Sequence, residues 1–330
     1  MKRLYSLIIL TLTLPSMLNA QQLPNAGFEN DWVKCKPWTS NKTKKFESTP
    51  SNWTISHVIG INLIVVFSGS TKVGNEISGH DSSKAVSIYN SSNSVAIDQI
   101  VPGYLTLGTT WSTANTSGKD ADGGTFGGIE FKHRPDAISF YYQRSHGTDK
   151  PDEKSSVVAY MWKGTYQQAD VPGEIASKPK TVTMMDRDRN ILGMETPKGG
   201  TVNSDGCERI AKINFDLDGD AADWTNRVIP FEYESANTPE KFNVIFSAGD
   251  YFSTTPGKNN TLNIDDIKLI YYSRLASLKV NGVRVNGFDP DKYDYTVDAE
   301  MPENSNAFVA ECMGNSGSST DRIDLDKKNA

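Results

Sequence analysis

Residues 127–144 read Gly127-Gly-Ile-Glu-Phe-Lys-His-Arg-Pro-Asp-Ala-Ile-Ser-Phe-Tyr-Tyr-Gln-Arg144. From Ala137 the run alternates. Ile138, Phe140 and Tyr142 fall on one face; Ser139, Tyr141 and Gln143 fall on the other. A period of two with one apolar face is a half-buried antiparallel strand. Pro135 has no N–H for a ladder, so it belongs before the strand. Gly127-Gly128 marks a tight approach into it. This reads as a central strand of a β-sandwich.

Most of the chain repeats that grammar. Short strands are expected at 53–58, 85–89, 95–100, 105–111, 157–163, 210–215, 227–233, 242–246 and 262–271, with Gly, Pro, Asn and Ser clusters between them. Val157 to Lys163 is apolar on both faces, which predicts a strand covered on both sides. Residues 164–209, with Pro172, Pro179 and Pro197, form a long polar excursion. No segment of useful length has a 3.6-residue apolar period. The fold class expected is all-β: an antiparallel β-sandwich of jelly-roll type.

Lys2 and Arg3, the apolar run from Leu4 to Leu14 and the small residue Ala20 have the form of a secretory signal peptide over 1–20. The apolar run is too short to span a membrane, and no Cys follows Ala20 to carry a lipid. A secreted protein, periplasmic or extracellular, is expected. The net charge of −6 is mild, and no Lys/Arg cluster tracks along a face, which argues against nucleic acid. Cys35, Cys207 and Cys312 have unrelated spacings. One pair could form a disulfide, and with no CxxC present a zinc site is not expected. After Ser273, residues 275–288 read as a hairpin about an Asn281-Gly282 turn, with one more strand at 293–297. The polar stretch 299–330 has little to bury and is expected to stay disordered.

Three pieces together resemble a known family. They are Asn25-Ala-Gly-Phe-Glu29, the 127–142 stretch preceded by Leu107-Gly-Thr-Thr-Trp111, and Ser247-Ala-Gly-Asp-Tyr-Phe252 leading to Leu262-Asn-Ile-Asp-Asp-Ile-Lys-Leu269. Over residues 21–273 the chain resembles the carbohydrate metabolism domain (PCMD) family of secreted bacterial proteins. The resemblance implies a jelly roll similar to carbohydrate-binding modules and a role in glycan use. It brings no catalytic residue. Residues 274–298 look like the start of a cadherin-like β-sandwich domain that stops short.

Asp265 shares the parity of Ile267 and Leu269, so a regular strand would turn it inward. A buried carboxylate needs a partner. In jelly-roll carbohydrate-binding modules the first and last strands often meet, and acidic residues there hold structural Ca²⁺. Glu29 and Asp265 are therefore the candidate calcium ligands, set against satisfaction by backbone N–H groups or an Arg. Tyr141, flanked by Ser139 and Gln143, is the candidate sugar platform, because sugar C–H faces stack on aromatic rings while hydroxyls seek polar partners. Trp111 and Trp162 are further candidates, with core packing the stronger expectation for Trp162. Asp216-Leu-Asp-Gly-Asp-Ala-Ala-Asp223 has its Gly at the fourth position rather than the sixth, so a solvated acidic turn is expected rather than an EF-hand.

Glu130 and Asp136 could serve hydrolysis, but nothing in the sequence pairs them. HExxH and GxSxG are both absent. The expected function is non-catalytic glycan binding. A protein-binding surface or adhesion module is the alternative, and a glycoside hydrolase or lyase comes third.

Overall fold

The computed structural model describes residues 21–34, 47–61, 68–81, 83–92, 100–112, 123–164, 167–168, 184–186, 202–203, 208–253, 255–271, 274–288 and 308–313. Among them there is no helix, and the fold is all-β. The expected signal peptide, Cys35, Cys207 and the 293–297 strand lie outside the described residues.

Two sheets make the main unit. One runs, in order, Glu232–Tyr233, Glu208–Leu217, Ser155–Lys163, Lys241–Ser247, Tyr104–Thr106 and Thr54–Ile55, with Ile129–Glu130 also pairing the 241–247 strand. The other runs Ala221–Pro230, Ala137–Ser145, Thr261–Ile270, Lys84–Tyr89 and Gly74–Ser78. The chain crosses from sheet to sheet at 145–155, 217–221 and 247–261, so neighbours in sequence often face each other across the core.

The alternation read from 137–143 holds. Ile138, Phe140 and Tyr142 are buried, and Tyr141 and Gln143 are only half-buried. Phe140 meets Phe246 of the opposite sheet edge-to-face, with ring centroids 5.0 Å apart. Val157, Ala159 and Met161 pair with Phe246, Val244 and Phe242, and all six are fully buried. Each such side chain contributes roughly 1.5–3 kcal/mol of burial for the larger residues.

The 155–163 strand is covered on its other face too. There Val158 and Tyr160 pair with Ile245 and Asn243. A three-stranded sheet of Thr109–Ser112, Gly123–Phe126 and Met184–Asp186 closes over it. Its Gly124 carbonyl accepts from the Tyr104 hydroxyl at 2.7 Å, and its Thr125 hydroxyl lies 3.3 Å from that of Thr106. Gly128 enters the sheet where a Cβ would lie 2.4 Å from the Phe242 carbonyl oxygen, so only glycine fits.

The last strand departs from a regular one. Leu262 and Ile264 are buried, then Ile267 and Leu269, a step of three between the pairs. Asp266 supplies the extra residue at a φ of 50°. This is a β-bulge, and it flips the parity. Asp265 is buried, as expected, but it follows Ile264 onto the opposite face instead of sharing that of Ile267. The expectation failed because an inserted residue breaks the period of two. Past the bulge the opening segment lies along this strand. The Ile267 N–H donates to the Ala26 carbonyl, and the Gln22 side chain exchanges two 2.8 Å hydrogen bonds with the Leu269 backbone.

A second unit contains the C-terminal strands. Arg274–Val280 turns back on Val283–Arg284 through Asn281 and Gly282, both at positive φ, the backbone that an Asn-Gly hairpin turn requires. Phe308–Met313 pairs antiparallel with Arg274–Val280. Of the 299–330 stretch expected to stay disordered, residues 308–313 are the only described ones. The run Phe308-Val309-Ala310 has the β-propensity to add a strand once an edge is offered, which mean composition over the whole tail conceals.

Candidate functional site

The polar side chains of the 137–145 strand open onto the outer face of the five-stranded sheet. Tyr141 sits opposite Asn226 of the 221–230 edge strand. Its ring does not stand alone. His80, from the turn between the 74–78 and 84–89 strands, stacks on it with centroids 3.7 Å apart and planes 19° from parallel. Trp224 approaches His80 edge-on at 6.5 Å. Gln143 is engaged at both ends of its amide: it donates to the Ala222 carbonyl at 2.8 Å and accepts from Asn263 at 3.0 Å. It ties the flanking strands together across the face.

The other two platform candidates lie elsewhere. Trp162 is 2% exposed within the seven-stranded sheet, so it is core and offers no ring face. Both sides of its strand are covered, which the apolar pattern on both faces had signalled. Trp111 pairs with Gly124 in the three-stranded covering sheet, and its side chain lies outside the described residues.

Glu29 and Asp265 contact neighbouring residues of one turn. The Lys84 N–H donates to Glu29 Oε1 at 3.0 Å, and the neighbouring Ser83 hydroxyl lies 3.3 Å from Asp265 Oδ2. Asp265 Oδ2 also accepts the His80 N–H at 2.8 Å, and Oδ1 accepts the Asp266 N–H at 2.7 Å. Burial raises the Asp265 pKa; the two N–H donors oppose that rise, and the Asp266 charge adds to it. The turn is built tightly around this carboxylate. A Cβ on Gly79 would lie 2.4 Å from Asp265 Oδ2. Carboxylate oxygens are the donors Ca²⁺ takes, while N–H donors already satisfy much of the Asp265 carboxylate.

The residues missed by the sequence reading are His80, Asp81, Asp266 and Trp224. His80 and Tyr141 are far apart in the chain, and no local spacing joins them. The consecutive acids Asp265-Asp266, which interrupt the strand's alternation, were the available signal of a bulge.

The acidic 216–223 stretch holds the turn that carries the chain from one sheet to the other. Lys154 lies within 3.9 Å of Asp216 and 3.5 Å of Asp218, and His146 Nδ1 is 2.8 Å from Asp220. The solvated-turn reading accounts for it. Glu130 is ion-paired with Lys241.

No family model and no curated protein matches the chain. Among solved structures it shares 15% identity with a "putative glycoside hydrolase" from Bacteroides thetaiotaomicron, at a TM-score of 0.41, over 61% of this chain and 57% of that one. The chain thus spans little more than half the length of that protein. A second "putative glycoside hydrolase", from Bacteroides vulgatus, shares 16% identity at a TM-score of 0.39, over 60% and 76%. The arabinose-bound α-L-arabinofuranosidase MgGH51 shares 11% identity at 0.33, over 82% of this chain and 29% of that one. Likeness at these scores carries no argument about what this chain does.

Proposed function

We propose that this is a secreted glycan-binding β-sandwich that holds its ligand on the outer face of the five-stranded sheet and does no chemistry on it. The observation that carries the reading is the Tyr141–His80 stack with Trp224 beside it, half-buried on a rigid sheet among the amides of Asn226, Gln143 and Asn263. Because His80 covers one face of Tyr141, the ligand engages the rim of the stack and Trp224, not an open tyrosine ring. Aromatic groups fixed on strands lose little entropy when a sugar packs on them, and the neighbouring amides supply hydroxyl partners. Glu29 and Asp265 are proposed to hold a structural Ca²⁺ that pins the chain's opening to the last strand.

A glycan-array screen of the mature chain tests this. Binding is expected, and Tyr141→Ala should weaken it by about 2 kcal/mol, in the range of an aromatic anchor. An array with no binder would favour the protein-binding adhesion module instead. Release of reducing ends from a bound polysaccharide would overturn the non-catalytic assignment.

A further inference from the structure

His80, Asp81 and Asp266 each present one ligand atom, and the three atoms all lie within 4.8 Å of one another. We propose that they form a site for a divalent transition-metal ion of the zinc type, adjoining the Asp265 carboxylate and sharing His80 with the face assigned to glycan, so that metal binding is read without any glycan present.

The geometry is close to what such an ion needs. Zinc takes nitrogen and oxygen at about 2.0–2.2 Å, so tetrahedral ligand atoms stand about 3.3 Å apart. His80 Nδ1 is 3.4 Å from Asp81 Oδ2 and 3.8 Å from Asp266 Oδ2. The Asp81 side chain is 82% exposed and free to swing toward Asp266. The imidazole decides the metal class. Calcium and magnesium take oxygen donors, while an imidazole with two carboxylates suits zinc and its neighbours.

The His80 ring points to a ligand by itself. Its Nδ1 atom is buried and, among the described residues, has no hydrogen-bond partner, although it faces two carboxylates. A buried nitrogen left unpaired is costly, and a bound cation would use that lone pair. The ring is also held in place. Tyr141 stacks on one face, and Trp224 stands edge-on.

One residue positions two of the ligands. Asp265 binds the His80 N–H through Oδ2 and the Asp266 N–H through Oδ1. Its buried carboxylate thus sets the backbone of both, as partners behind metal ligands generally do. The bulge keeps Asp266 at its positive φ. Three protein ligands leave a fourth position for water or a ligand's oxygen.

The test is calorimetric titration of chelator-stripped mature chain with Zn²⁺, run in excess Ca²⁺ so that all-oxygen sites are filled. Co²⁺ titration with visible absorption reports a nitrogen ligand directly. One equivalent of Zn²⁺ is expected. Asp81→Asn, on an exposed side chain that leaves the fold intact, should weaken binding at least tenfold, and His80→Gln should abolish it. His146→Gln, at the separate Asp220 pair, should leave affinity unchanged. Absence of stoichiometric Zn²⁺ binding overturns the proposal. So does an unchanged affinity in Asp81→Asn, which decides the matter even if His80→Gln fails to fold.

Discussion

Acid should unfold this protein partly through a single histidine. His57 is buried where the edges of the two sheets meet, just past the 54–55 strand and beside the 74–78 strand. Its Nδ1 accepts the Val73 N–H at 3.2 Å, so Nε2 carries the proton toward the Ser48 carbonyl, also at 3.2 Å. That is a neutral imidazole with both nitrogens employed. Protonating it would set an N–H against the Val73 N–H and place a charge on a side chain that is 1% exposed. Burial accordingly lowers its pKa to about 4, with the Ser48 hydrogen bond opposing the shift. The folded pKa lies below the unfolded value of 6.5. The stability is therefore fully present above pH 6.5 and lost as the pH falls to about 4, because only the unfolded chain takes the proton in that window. At 1.36 kcal/mol per unit, the loss amounts to about 3 kcal/mol. The perturbation is His57→Gln, whose amide keeps one acceptor and one donor but cannot titrate. The assay is urea unfolding of both proteins at intervals from pH 7 to 4. The wild type should lose about 3 kcal/mol more than the variant across the window. Parallel stability profiles would refute the reasoning and mean that His57 titrates normally in the fold.

The strand register predicts opposite outcomes for adjacent tyrosines. Tyr142→Ala empties a core position and should cost roughly 3 kcal/mol or more by thermal or urea unfolding, while Tyr141→Ala should cost about 1 kcal/mol, chiefly its stack with His80. Gly79→Ala drives a methyl against Asp265 Oδ2, Ser83 Oγ and the Lys84 carbonyl and should destabilise by about 1–3 kcal/mol, measured the same way. If Glu29 and Asp265 hold Ca²⁺, a calcium chelator should lower the melting temperature of the wild type and act much less on Asp265→Asn; equal responses would remove the ion from the account.

The single line 137–143 carried both fold class and register, because a two-residue period records which side chains leave water and needs no distant information. The apolar run at 157–163 likewise announced a strand covered on both faces, and the Asn281-Gly282 pair its hairpin, since turn geometry depends on adjacent backbone alone. Tyr141 was found in the same way, as an aromatic on the polar side of a strand. Its surroundings were not legible. That His80 stacks on it and that Asp265 turns off the Ile267 face depend on where a bulge falls and on which strands become neighbours. Those are outcomes of closing two sheets over one core. They bring together residues whose separation in the chain exceeds any local pattern, and only the folded structure decides them.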